Sequence, residues 1–349
     1  MSRLDDALAL VRIPSVSRHE AELAAHVESR LRAADHLEVE RVGDNVIART
    51  IGRHVTRVLV AGHLDTVPGD ATTAHVEGGR LYGLGAVDMK ASLAVMIELA
   101  VDPTPRSVEV TWVFYSREEI ARSESGLIEI AELRPDLLAA DVAVLGEPTA
   151  GAVEAGCQGS MRVVVRLKGE RAHTARPHQG RNAIHRLAGL LELVASYEPR
   201  VVDLDGVRYV EQLQAVFVDG GVAGNVVPDE ASVILNHRVA PDRDRQAATA
   251  WLVDYLNDVV EDTDDIEVQD WAPTAAPSLD NVRLSRLVEL TGRAVNAKVG
   301  WTDVATFSER SIPATNFGVG DPLLAHTTDE VVSLDELDEY ARVLGEWLR

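Results

Sequence analysis

The apolar positions of this chain follow two rhythms. Over residues 4–12 and 19–34 they recur three and four apart, the spacing that turns one face of a helix toward a core. HLEVERVGDNVIART (36–50) alternates instead and predicts a hairpin. TRVLVAG (56–62), VEVTWVFYS (108–116) and DVAVLGEP (141–148) are predominantly apolar, as expected of strands buried on both faces. ASLAVMIELA (91–100) and ESGLIEIAEL (124–133) separate them as helices. Strands alternating with helices predict an α/β domain built on a mostly parallel mixed sheet.

The pattern changes near residue 158. MRVVVRLKG, NAIHRLAGLLELVASYE, YVEQLQAVFVDGG, ASVILNHRV, RQAATAWLVDYLNDVVED and IEVQD read in turn as strand, helix, strand, strand, helix and strand. That βαββαβ order is the split arrangement of a small ferredoxin-like two-layer domain. WAPTAAPSLD is a Pro- and Ala-rich return, after which NVRLSRLVELTGRAV, PATNFGVG and SLDELDEYARVLGEWL resume the first pattern. The chain is therefore expected to hold a discontinuous catalytic domain, 1–157 and 272–349, with a lid and dimerisation domain, 158–271, inserted into it.

Composition narrows the chemistry. Cys157 is the only cysteine, which excludes an intrachain disulfide and a multi-thiolate zinc site. Any metal would be held by His, Asp and Glu. A net charge of −22 argues against nucleic acid as a partner, since phosphate contacts need a basic surface. It leaves room for an anionic small molecule bound by a few arginines. The expected setting is the cytoplasm, with no signal-peptide layout and no bilayer-length apolar run.

The polar residues that could do chemistry gather where strands end. TRVLVAG runs into His63 and Asp65, VTWVFYS into Glu118 and Glu119, DVAVLG into Glu147, and ATNFGVGD leads toward His326. Asp88 follows the Gly-rich turn YGLGAVD at the head of a helix. In open α/β sheets ligands bind beyond the carboxyl ends of the strands. Singly, each residue reads as readily as a surface group or, for Asp88, a helix cap. Together, two histidines and several acids without thiolates fit a site of oxygen and imidazole ligands.

AGHLDTVP, YGLGAVDMKASLAVM, FYSREEI, LGEPT, KGERAHTARPHQGRNAI, GNVVPDEASVILNHRV and AHTTDEVV together resemble the M20 metallopeptidases, di-zinc amidohydrolases. Within that family the resemblance is strongest to the actinobacterial succinyl-diaminopimelate desuccinylases, in which an aliphatic residue follows the Glu pair. It implies a zinc-peptidase-like catalytic domain and two divalent ions per subunit, Zn2+ with Co2+ as a possible substitute. Asp88 would bridge the ions, His63 and Glu147 would complete one site, and Glu119 and His326 the other. Glu118 would be the general base, Asp65 would orient His63, and His173 would stabilise the oxyanion, reaching the active site of a partner in a homodimer. The peptide after the bridging Asp is cis in the family, which here is Asp88–Met89.

For substrate contacts the resemblance implies Ser160, Arg162, Arg176, Asn225 and Arg238, with Thr302 and Asp303 in the pocket wall. The implied reaction is hydrolysis of an N-acyl diamino acid, N-succinyl-LL-2,6-diaminopimelate. Acetylornithine deacetylation, another N-acyl amino acid, and a non-catalytic protein of the same fold are the alternatives. Ala91 and Ser92 stand where relatives often carry glycines, Ile120 where many have Gly, and Leu84 where Arg is frequent.

Overall fold

The computed structural model describes residues 2–52 and 54–349. The chain forms two compact units. The first runs to Gly156 and takes in Pro277–Ala297 and Thr302–Arg349; the second is Cys157–Ala276 with Lys298–Trp301. The return to the first unit thus comes later than the expected 271/272, and Lys298–Trp301 joins the second.

The first unit is organised on an eight-stranded mixed sheet. Its centre is parallel: Arg57–His63 lies between Glu109–Tyr115 and Val142–Leu145, and Val142–Leu145 also pairs with Ala314–Asn316. The alternating segment forms the hairpin Leu37–Val42 and Asn45–Thr50, which joins the parallel strands in antiparallel register on one side. All seven residues of Glu109–Tyr115 and all four of Val142–Leu145 are buried, which explains their largely apolar sequences. The helix Ala91–Val101 is apolar on nearly every side for the same reason, with Leu93, Val95, Met96 and Ile97 fully buried.

Register places the functional residues. His63 lies opposite Tyr115, Ala61 opposite Leu145, and Asn316 opposite Leu145. The parallel strands therefore end together, and the residues that follow them emerge at one edge.

The second unit is a four-stranded antiparallel sheet in the order Gln212–Gly220, Glu230–Val239, Gly159–Lys168, Asp265–Ala272. With helices Ala183–Ala195 and Arg245–Leu256 this is the ferredoxin-like topology. Met161, Val163, Val165, Leu213, Leu235 and both helices' leucines form its core. The run read as a single strand, YVEQLQAVFVDGG, divides at Glu211. Val207–Val210 turns back on Val201–Leu204 as a separate hairpin. The fully buried Glu211 carboxylate accepts from the Ala240 amide at 2.9 Å and meets Arg200 and Arg243 at 3.3 and 3.2 Å. A buried carboxylate needs such partners, and supplying them interrupts the ladder.

Candidate metal centre

Two glycines let the site form. Gly62 precedes His63 and Gly146 precedes Glu147. A Cβ on Gly62 would lie 2.5 Å from Met89 Cε, and one on Gly146 2.7 Å from the same atom. The Met89 side chain thus fits beside both strand ends, bringing the turn that carries Asp88 up to them. That turn, Ala86–Lys90, leaves helical geometry at Asp88 and Met89, and the Asp88–Met89 peptide is cis.

Asp88 stands between two imidazoles. Its Oδ1 is 2.9 Å from His63 Nε2 and its Oδ2 3.3 Å from His326 Nε2. His326 Nε2 also lies 2.9 Å from Glu119 Oε1. His63 is buried, as are Asp88, Glu147 and, in its side chain, Glu119; His326 is half exposed. Burial alone would raise Asp88, but hydrogen bonds from His326 and then His63 hold its carboxyl well below the usual range. The bonds to Asp88 and Glu119 raise His326 to about 10. Burial and then the charge of Glu147 push Glu118 well above the ordinary carboxylate range.

This donor set fits divalent ions. Donor atoms of His63, Asp88 and Glu119 lie within 4.8 Å of one another. Ligands bonded to one tetrahedral ion at ~2.0–2.2 Å stand roughly 3.3–3.6 Å apart, close to the spacings around Asp88. Asp88 offers one oxygen to each histidine, as a carboxylate shared by two ions must. Among the described residues no lysine or arginine ion-pairs with Asp88 or Glu119, and both acids are met by imidazoles.

Asp65 corrects the expectation. Its backbone carbonyl, not its carboxylate, accepts from His63 Nδ1 at 2.9 Å. The carboxylate Oδ1 is 3.6 Å from that nitrogen, beyond hydrogen-bond range. It instead accepts from the amides of Glu118 at 3.0 Å and Glu119 at 3.1 Å, and from Ser17 Oγ at 2.7 Å. Residue 65 therefore holds the His63 ring with its backbone and the Glu118–Glu119 turn with its side chain.

Thr302 and Asp303 are placed by bonds inside the first unit. Both are buried. Thr302 Oγ1 donates to Asn316 Oδ1 at 2.9 Å, while Asp303 accepts from Thr306 at 2.6 Å and Ser125 at 3.3 Å. Both side chains thus bond within the first unit. Ser92 gains an account here: its hydroxyl accepts from the Val319 amide at 3.1 Å, a bond glycine could not make.

The remaining candidates belong to the second unit and form two groups there. His173 pairs with Val226 in a short ladder, next to Asn225, whose carbonyl accepts from Thr174; Arg176 donates its amide to the His173 carbonyl. His173 Nδ1 accepts from the Ala175 amide at 3.0 Å, so in the neutral ring Nε2 carries the proton and is a donor. Ser160, Arg162 and Arg238 share the sheet face opposite the helices, with Ser160 opposite Arg238 and Arg162 opposite Asn236. Arg238 is partly buried, makes no ion pair or side-chain hydrogen bond among the described residues, and has its pKa lowered by burial.

Sequence reading assigned no role to the segment IPSVSRHE (13–20) or to Glu330. Ser17 supports Asp65, Glu20 accepts from the Arg117 amide at 3.0 Å, and Glu330 accepts from the amides of Val87 and Asp88 at 2.8 and 3.2 Å. Nothing local in the sequence marks Ser17 or Glu20, whose partners lie 48 and 97 residues away.

A Mycobacterium tuberculosis protein provisionally named succinyl-diaminopimelate desuccinylase is 48% identical over 343 residues, covering 97% of this chain and 96% of its own. The Corynebacterium glutamicum succinyl-diaminopimelate desuccinylase is 42% identical over 346 residues, covering 97% and 94%. Among solved structures, an aminopeptidase of Bacillus cereus superposes with a TM-score of 0.81 at 20% identity, over 99% of this chain and 97% of that one. A Bacillus subtilis M20 protein described as a dinuclear metal-binding peptidase gives 0.72 at 18% identity, over 99% and 96%. These two share the fold. Peptidase family M20/M25/M40 matches residues 59–349, and the chain belongs to that family.

Proposed function

We propose that this protein hydrolyses the amide bond of N-succinyl-LL-2,6-diaminopimelate, releasing LL-2,6-diaminopimelate and succinate. The observation that carries the chemistry is Asp88, which directs one carboxylate oxygen to each of two histidine Nε2 atoms. The named activity of two relatives at 48% and 42% identity over nearly the whole chain supports the substrate.

His63, Asp88 and Glu147 would hold one divalent ion and Asp88, Glu119 and His326 the other, with zinc as the proposed metal. Bound there, the pair of ions would supply a nucleophilic water at neutral pH and polarise the amide carbonyl. Glu118 takes a proton from that water as its oxygen adds to the amide carbon. It then gives the proton to the leaving nitrogen as the C–N bond breaks, leaving succinate and a free amine. A carboxyl pushed up by burial takes a proton readily, and this suits the task. Asp65 fixes the turn that carries Glu118 and Glu119 by accepting from both their amides. His173, with Nε2 as donor, would stabilise the oxyanion. Arg238, a partly buried guanidinium that ion-pairs with no acid among the described residues, would bind a substrate carboxylate, and Ser160, Arg162, Arg176 and Asn225 would complete its recognition.

The second unit is proposed as a lid and as the surface for a homodimer. Gln212–Gly220 is an edge strand with Val216, Phe217 and Val218 all about half exposed, the kind of edge that pairs with another chain. Light scattering should give twice the monomer mass; a monomer would remove this part of the reading. No helix of the described residues is long and apolar enough to cross a membrane.

The test of the activity is hydrolysis by metal-stripped protein with zinc titrated back, comparing N-succinyl-LL-diaminopimelate with N-acetylornithine. Zinc-dependent cleavage of the succinyl compound is expected. Preference for the acetyl compound would keep the metal centre and overturn the substrate.

A further inference from the structure

Two buried acids sit behind the candidate metal centre without facing it. Glu20 is fully buried and Glu330 is 1% exposed. Neither forms an ion pair with a lysine or arginine among the described residues. Glu20 occupies the N-cap position of helix Ala21–Arg32, yet its side chain does not cap that helix. It accepts instead from the amide of Arg117, immediately before Glu118. Glu330 accepts through one oxygen from the amides of Val87 and Asp88, and its own carbonyl accepts from the Gly83 amide at 3.1 Å. Residue 330 thus bonds to the backbone just before the turn that delivers Asp88 and within it.

With Asp65 the pattern is complete. The three successive amides of Arg117, Glu118 and Glu119 end on buried carboxylates, and so do those of Val87 and Asp88. Runs of N–H groups form positive concavities that attract anions. Beside divalent ions they would be repulsive unless held elsewhere, and here acids on the far side take them up. Burying a carboxylate without a direct ion-pair partner is costly. An apolar side chain would pack the same space without that cost, so packing alone does not account for either acid.

We propose that Glu20 and Glu330 are positioning residues for the metal centre: they fix the backbone of the Glu118–Glu119 turn and of the Asp88 turn and so set the aim of the ligands. The inference rests on the metal-centre reading given above.

The test is zinc affinity, measured by competition with a chromophoric chelator, on the full chain carrying Glu20→Ala, Glu330→Ala, Glu20→Gln or Glu330→Gln. Melting of each metal-free protein is recorded alongside. The Ala variants should bind zinc about 10–100-fold more weakly, the usual effect of losing support behind a ligand. The Gln variants keep the accepting oxygen and should stay within roughly threefold of the parent chain, since no supporting bond is lost. Glu109→Ala is the control: that carboxylate is buried and accepts from Thr50 and the His54 amide, at the far end of its strand. It should lower the melting temperature and leave zinc affinity unchanged. If an Ala variant does not fold, Glu→Asp at the same position keeps the charge but draws back the oxygen, and should bind more weakly than Gln. Parental affinity in the Ala variants, or Gln as weak as Ala, would overturn the proposal. A parent chain that binds no zinc would overturn the metal-centre reading and this inference with it.

Discussion

Asp88 in the first unit meets two histidines at 2.9 and 3.3 Å, and its amide is held from behind by Glu330 at 3.2 Å. Arg238 in the second unit is also partly buried, yet no acid meets it among the described residues. One charge is held on every side and the other on none. A group fixed by backbone bonds cannot reorganise, which suits donors whose geometry must be ready before reaction. A guanidinium without an internal partner can instead give its hydrogen bonds to an arriving anion, with no protein ion pair to break first. The contrast separates residues that do chemistry from residues that choose what the chemistry acts on.

The contrast is broken most directly at Glu118. Glu118→Gln should retain metal, measured by elemental analysis, while kcat falls ~10²–10⁴-fold, the range for losing a general acid–base. Activity within tenfold of the parent would remove it as the base. His173→Ala in the second unit should lower kcat ~10²–10³-fold with metal content unchanged, as for one lost oxyanion donor. A negligible loss would confine the chemistry to the first unit.

Arg238→Ala should act on the substrate and not on the metal. Loss of a charged hydrogen bond of about 1.5–3 kcal/mol predicts KM for the succinyl substrate raised roughly 10–100-fold. A fall in kcat at unchanged KM would place the residue among the chemical groups.

The smallest effect is in stability. In the metal-free protein the pKa of His326 is raised from 6.5 to about 10 by Asp88 and Glu119, so the folded state binds the proton more tightly than the unfolded state. The stabilisation is full below about pH 6.5 and is lost as pH rises through about 10. The gap in melting temperature between the parent and His326→Asn should narrow across that window. A gap that widens would show that His326 is not held by those acids.

The predominantly apolar runs around Val60, Trp112 and Val144, and the His, Asp and Glu residues that follow them, were legible in the sequence alone. Burial on both faces leaves a compositional mark on a strand, and polar residues that follow several such runs stand out together. The alternation that places Leu213, Leu235 and Met161 in the second unit's core was legible for the same reason. What only the tertiary structure decided are the bonds between distant segments. Glu330 reaches the amide of Asp88, Glu20 that of Arg117, and Asp65 turns its carboxylate to Glu118 and Glu119 while its carbonyl takes His63. Thr302 and Asp303 bond inward. Periodicity reports which face a residue shares, because that depends on its near neighbours. Which amide a buried acid accepts from depends on residues up to 243 positions away, brought together only when the chain has folded.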